Sequence, residues 1–284
     1  MNTIKITKMQ GCGNDFVILD YSEFEKANIE MSELAKKLCD RNFGIGADGM
    51  IIPKTDCEDA DISWYFYNSD GSTAQMCGNG MRCFAKYVYD KKLVDKTEFS
   101  VKTLAGIIKP QLLENGLVKV NMGKPVLVPE QVPCKLTKCL EQKIIVDGKF
   151  YSVNAVSMGN PHCIMFIQDK NSDLLKLAKT VGSKFENHEI FPEKTNVEFV
   201  RINSRNEIDL RVWERVCGIT LACGTGACAS VVASILNNLT DGKVKVNLLG
   251  GALSVEWSGS LADTKQDVYM SGPAKYSFFA DYLL

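Results

Sequence analysis

Two short segments carry the residues best suited to chemistry. Cys77-Gly78-Asn79-Gly80 and Cys223-Gly224-Thr225-Gly226 each place a thiol and two glycines before an apolar run. Neither run contains another glycine or proline. Met81, Phe84, Ala85 and Val88 recur at helical spacing, and Ala227 to Leu236 is apolar almost all round, which predicts a buried helix. A helix start exposes N–H groups and a partial positive charge. It can bind a carboxylate and stabilise a thiolate. The glycines let a ligand approach the backbone closely. If both turns face one site, a carboxylate lies between two helix starts, with a sulfur on either side of its α-carbon.

The elements that position these turns repeat. Cys77 and Cys223 lie 146 residues apart, and so do Gly13 and Gly159, each followed by asparagine and then a short apolar run. Asn68 and Glu214, at the ends of the strand-like runs before each cysteine turn, share the same offset. Three markers with one offset imply a duplicated domain. "SELAKKLCDR" and "SDLLKLAKTVGSKF" predict helices capped by their serines. "KIIVDGKFYSVNAV" and "VKVNLLGGALSVEWSG" predict hairpins turning at Asp-Gly and Gly-Gly. Strands dominate and helices are few, so the expected class is α+β. The Pro- and Gly-rich stretch from Asn121 to Pro133 marks the boundary between halves.

Bulk composition excludes several roles. Of 284 residues, 45% are hydrophobic and 24% charged, with a net charge of −1, which leaves no electrostatic footprint for nucleic acid or membrane. The N-terminal "MNTIKITKMQ" lacks an apolar signal region, and no stretch has the length of a membrane span. A cytoplasmic protein is expected. Eleven cysteines are an odd number, there is no C-x-x-C, and only His162 and His188 are available as imidazoles, so neither a disulfide framework nor a zinc site is indicated. Cys39, Cys57, Cys83, Cys134, Cys139 and Cys228 read as small buried hydrophobes.

The chain resembles the diaminopimelate epimerases, cofactor-independent amino-acid racemases and epimerases, nearly end to end. The resemblance rests on "GCGNDFVILD", "RNFGIGADG", "YNSDGSTAQMCGNGMRCFAKY", "VSMGNPHC", "TNVEFV", "VWER", "ACGTGACA" and "MSGPAKYSFF" in that order. It implies two pseudo-symmetric halves, each a barrel-like β-sheet around a central helix. The N-terminal half would be 1–123 plus 272–284 and the C-terminal half 124–271, with the active site in the cleft between them. It implies conversion of L,L- to meso-diaminopimelate for lysine and peptidoglycan precursors, without pyridoxal phosphate, another cofactor or a metal, by a homodimer. Its partner would be a small-molecule amino acid.

By the same resemblance, Cys77 and Cys223 are the catalytic pair, one a thiolate base and the other a thiol acid, so that no single base has to swing around the substrate. Gly78, Asn79, Gly224 and Thr225 would hold the reacting carboxylate, and Asn14 would line that end. Asn68, Asn160, Asn196 and Arg215 would hold the distal carboxylate, and Glu214 the distal ammonium. His162 is expected to support the Asn160 loop, and His188 receives no role. Two departures stand out. After Glu214-Arg215 the family continues Gly-x-Gly-Glu-Thr, whereas this chain reads Val216-Cys217-Gly218-Ile219-Thr220, and Gly49 stands where some members have glutamine. Racemisation of histidine, lysine or lanthionine on the same scaffold is the alternative reading. An amino-acid-binding protein or a thiol redox sensor is the non-enzyme one.

Overall fold

The computed structural model describes residues 3–284. The chain forms two compact units. The first runs to Val120 and adds Ser271–Leu284, and the second is Asn121–Met270. Residues 121–123 belong to the second unit because their polar groups bond there. Asn121 Nδ2 donates to Asp267 at 2.8 Å, and Met122 N–H donates to Val268 O at 2.8 Å.

In chain order, the first unit contains β1 (Thr3–Gly11), β2 (Asn14–Ile18), α1 (Tyr21–Ala27), α2 (Met31–Cys39), β3 (Gly49–Lys54) and β4 (Ile62–Asn68). After these come α3 (Gly78–Asp90), β5 (Val101–Thr103), β6 (Gly106–Ile108) and the short hairpin β7 (Gln111–Leu112) and β8 (Val118–Asn121). The second unit holds β9 (Gln142–Val146), β10 (Lys149–Ser157), β11 (Pro161–Phe166), α4 (Leu174–Glu186), β12 (Asn196–Ser204) and β13 (Glu207–Glu214). It continues with β14 (Gly218–Ile219), α5 (Gly224–Leu236), β15 (Lys243–Asn247), β16 (Ala252–Glu256) and β17 (Tyr269–Gly272). The last strand, β18 (Lys275–Leu283), pairs antiparallel with β1.

The duplication is visible in the pairing. The first sheet is ordered β18-β1-β2-β3-β4-β5-β6, and the strands from β9 in the second unit are ordered β9-β10-β11-β12-β13-β15-β16-β17. From β18 and from β9 the pairs alternate in the same way: antiparallel, antiparallel, parallel, antiparallel, parallel, antiparallel. Both sheets wrap a helix. The helix α3 packs on β1, β2 and β3, and α5 packs on β10, β11, β12 and β16. Because β13 and β15 separate β12 from β16, that sheet must curve around α5.

Strand periodicity sorts the second unit's residues into two faces. Val153, Ala155, Cys163, Met165, Val197 and Phe199 meet Ala178 and Phe185 of α4 in an apolar core. The alternate positions, facing α5, include four buried polar residues: Asn154, His162, Asn196 and Glu198. Three of them stand in register or near it at the Cys223 end of the helix, His162 opposite Asn196 and Ile164 opposite Glu198. The expected serine caps are not used. Asp173 caps α4, accepting from Leu175 N–H and Lys176 N–H at 2.9 and 3.1 Å, because a carboxylate reaches two donors and complements the helix dipole. Ser32 lies inside α2, which starts after Glu30. Both expected hairpins form, with Val146 opposite Lys149 and Asn247 opposite Ala252. Among the described residues no helix is long and apolar enough to cross a membrane.

Candidate active site

Both cysteine turns are helix N-caps. Cys77 and Cys223 adopt extended backbone, and each sulfur accepts the N–H three residues on, Gly80 or Gly226, at 3.4 Å. The helices they cap are both 13 residues long. Since each sulfur takes the third N–H, the N–H groups of Gly78, Asn79, Gly224 and Thr225 are the ones that point out of the helix starts. Such a cradle suits a carboxylate.

In the first unit, the β1–β2 turn brings Asn14 to Cys77. Cys12 and Gly13 both take positive φ, 57° and 85°, which makes the tight hairpin turn that aims Asn14. The Cys77 thiol donates to Asn14 Oδ1 at 3.7 Å, and Asn79 Nδ2 donates to the same oxygen at 3.1 Å. Two residues outside the sequence expectation fix these amides. Fully buried Arg82 donates to Asn79 Oδ1 at 2.9 Å and to Pro273 O at 3.1 Å, and Asn14 Nδ2 donates to Asp48. Arginine only donates and a carboxylate only accepts, so the polarity of the relay is set from both ends. Asn68 has no hydrogen bond to this relay: it ends β4, opposite Gly49, and its Nδ2 donates to Ser72 Oγ at 3.0 Å.

Asp15 anchors the base of that hairpin. Burial pushes its carboxyl up, but hydrogen bonds from Arg41 and Lys8, at 2.8 and 2.7 Å, outweigh burial and hold it at about 2. A folded value below the unfolded one gives stability that is present above about pH 4 and lost as pH falls towards 2. Asp15→Asn is therefore expected to remove on the order of 2 kcal/mol at neutral pH and much less near pH 2.5. Thermal melts at both pH values check this, and an equal loss at the two would contradict it.

In the second unit, Cys223 is 5% exposed and lies among carboxylates. Burial, then the charges of Glu214 and Glu198, push its thiol well above the ordinary range, against the bonds from Thr225 and Gly226. Cys223 therefore rests as a thiol. Glu214, itself pushed up by burial, accepts from Thr220 Oγ at 2.5 Å and bonds the Cys223 side chain. Thr220 thus braces the loop in which the family's usual glutamate is replaced by Ile219. Ile219 pairs with Trp213 and packs on the α4 core. Val216, in the same departure, holds φ of 71° while its N–H donates to buried Glu186 at 2.9 Å.

The other expected residues fall into two sets of hydrogen bonds. Asn160 Oδ1 accepts from His162 Nε2 at 3.0 Å, and His162 Nδ1 meets Glu198 Oε1 at 2.6 Å, with both members of that pair fully buried. Asn196 is buried, donating Nδ2 to Pro161 O and accepting the Arg215 N–H, both at 2.9 Å. It thereby fixes the backbone from which the Arg215 side chain projects. The Arg215 guanidinium donates to Glu193 O at 3.1 Å. Glu198 was not foreseen. Its signal was a carboxylate alternating with apolar residues in "NVEFV".

Glu198 also explains a glycine. A Cβ on Gly226 would lie 2.7 Å from Glu198 Oε1 and 3.2 Å from Cys223 Sγ, whereas a Cβ on Gly80 meets nothing closer than 3.4 Å. Gly226→Ala is expected to cost about 2–3 kcal/mol and at least about tenfold in turnover, while Gly80→Ala leaves stability within about 1 kcal/mol. Urea melts of the pair check this, and equal costs would refute the contrast.

Comparison with known proteins agrees with this architecture. The profile of the diaminopimelate epimerase family matches residues 6–128 and 154–277. A diaminopimelate epimerase of Desulfitobacterium hafniense is 47% identical over 97% of this chain and 96% of its own. One from Trichodesmium erythraeum is 45% identical over 97% and 98%. A chloroplastic diaminopimelate epimerase of Oryza sativa subsp. japonica is 43% identical over 97% of this chain and 79% of its own. Among solved structures, a hydroxyproline epimerase from Agrobacterium vitis shares the fold, with a TM-score of 0.70 at 10% identity over 100% and 93% of the two chains. A Bacillus anthracis phenazine biosynthesis protein does likewise, with a TM-score of 0.70 at 16% identity over 100% of both chains. On the family profile and these near full-length identities, the chain belongs to the diaminopimelate epimerase family.

Proposed function

We propose that this isomerase interconverts L,L- and meso-diaminopimelate by two-base proton transfer between Cys77, Cys223 and the substrate α-carbon. The observation that carries the reading is the pair of cysteine N-caps at equivalent places in two duplicated units of an epimerase-family chain. One thiolate removes the α-proton and the other thiol returns a proton to the opposite face. The N–H groups of Gly78, Asn79, Gly224 and Thr225 hold the reacting carboxylate and stabilise the enolate-like charge that develops on it. This route calls on neither pyridoxal phosphate nor a metal. Arg215, Asn68, Asn160 and Asn196 take the distal carboxylate, and Glu214 the distal ammonium once the substrate displaces its contact with Thr220. Asn14 lines the reacting end. The test is epimerisation of pure L,L-diaminopimelate by the purified chain, followed by chiral chromatography. Unchanged isomer composition over many hours would refute the reading.

We further propose a homodimer working in the cytoplasm, in lysine and peptidoglycan precursor synthesis. Supporting the dimer, the edge strand β18 exposes Phe278, Phe279 and Leu283 along a row of backbone groups. Phe279→Lys is expected to convert a dimer to a monomer in sedimentation analysis. A wild-type protein that sediments as a monomer at micromolar concentration would dismiss the dimer.

A further inference from the structure

The duplication supplies its own control for the buried pair His162 and Glu198. Phe16 on β2 corresponds to His162 on β11, each two residues after the shared asparagine, Asn14 or Asn160. Phe16 pairs with Gly49 and Ile18 with Ile51, as His162 pairs with Asn196 and Ile164 with Glu198, so Ile51 corresponds to Glu198. A Cβ on Gly80 of α3 would meet Ile51 and Phe16 at 3.4 Å, and one on Gly226 of α5 would meet Glu198 Oε1 at 2.7 Å. The same space beneath the helix is filled by two buried apolar side chains in one unit and by a fully buried acid and imidazole in the other. The polar filling is therefore not a demand of the architecture. Burying an ionised carboxylate is costly unless its oxygens are hydrogen-bonded, yet Glu198 Oε2 has no hydrogen-bond partner among the described residues. The bond to His162 is what Glu198 is placed to make.

The hydrogens along that bond fix an amide. Asn160 Oδ1 faces His162 Nε2 at 3.0 Å, and an amide oxygen only accepts, so Nε2 carries a hydrogen. The 2.6 Å contact between Nδ1 and Glu198 Oε1 holds another, on the nitrogen or on the oxygen. Without an acid there, a neutral imidazole is free to carry its one hydrogen on Nδ1, accept at Nε2 and let the amide turn over. Among the described residues nothing accepts from Asn160 Nδ2, which leaves that nitrogen for a ligand. The equivalent Asn14 is held the other way round, its Nδ2 donating to Asp48 and its Oδ1 accepting from the Cys77 thiol. We propose, resting on the diaminopimelate reading above, that Glu198 is a positioning residue for substrate recognition. It acts through His162 to present Asn160 Nδ2, rather than Oδ1, to the distal carboxylate, which only accepts.

The chain has only two histidines, so spectra of nitrogen-15-labelled histidine isolate the relay, and His188→Gln assigns the signals of His162. Nε2 of His162 is expected to carry a hydrogen in the full chain at neutral pH. An unprotonated Nε2 would overturn the orientation whether or not the chain epimerises diaminopimelate, so the relay and the epimerase reading can fail separately. Affinity tests the link to the ligand. Calorimetric titration with L,L-diaminopimelate in a Cys77→Ala background avoids turnover. His162→Phe together with Glu198→Ile copies the filling of the first unit and is expected to fold, with a melting temperature near that of the parent. This double variant should raise Kd about tenfold, the loss of one good hydrogen bond to a charged group. Asn160→Ala should raise Kd to a similar extent, and adding the same two changes to Asn160→Ala should alter it by less than about twofold. An unchanged Kd in the double variant, or fully additive losses in the triple one, would overturn the positioning role.

Discussion

In deuterated water, turnover from one pure isomer should place early label in the product and almost none in recovered substrate. The thiol that donates to product exchanges its proton with solvent before the substrate binds. The sulfur that abstracts holds the substrate's own proton, and internal return restores unlabelled starting material. Cys223 rests as a thiol because burial and two carboxylates oppose its charge, which suits it to start one direction of the reaction as the donor. Cys77→Ala and Cys223→Ala should each lower turnover by at least about a thousandfold. Cys83→Ala should leave turnover in place, since that thiol is fully buried within α3 and burial pushes it up to about 12. Equal early labelling of both isomers would indicate one shared base and would end the two-thiol assignment.

The second large effect concerns the distal end of the substrate. Activity on L,L- and meso-diaminopimelate should exceed that on lysine by at least about a hundredfold in kcat/KM. Diaminopimelate carries a second charged head, and lysine has no carboxylate for the proposed clamp. Leaving such a clamp unpaired costs about 1–3 kcal/mol per group, and more for the charged one. Arg215→Met should erase most of the preference. Its backbone N–H would still be held by Asn196 Oδ1, so the variant removes the planar fork without releasing the loop. Meso-lanthionine keeps both heads and should compete with diaminopimelate. Faster turnover of lysine or histidine than of diaminopimelate would show that the clamp is assigned wrongly. Attention would then fall on Val216 to Ile219.

Elements under the control of local chemistry could be read from the residue order alone. The shared 146-residue offset, the two cysteine-led helices and both hairpins were legible because turn glycines and hydrophobic period act over a few residues. Family likeness then supplied roles for single positions such as Asn160 and Arg215. Tertiary structure decided what stands beneath those positions. Asp48 lies 34 residues from Asn14 along the chain, and Glu198 lies 36 from His162, yet each meets its partner because strands pair across the sheet. Arg82, one turn into α3, turns inward to hold Asn79 and Pro273, a contact across 191 residues. The serine cap expected at α4 failed for a related reason: Asp173, next to Ser172, competes for the same N–H groups, and only the final backbone path ranks the two. The charge state of Cys223 is likewise a tertiary property. Its helix start favours a thiolate, but burial and the charges of Glu214 and Glu198, brought in by β12 and β13, outweigh it.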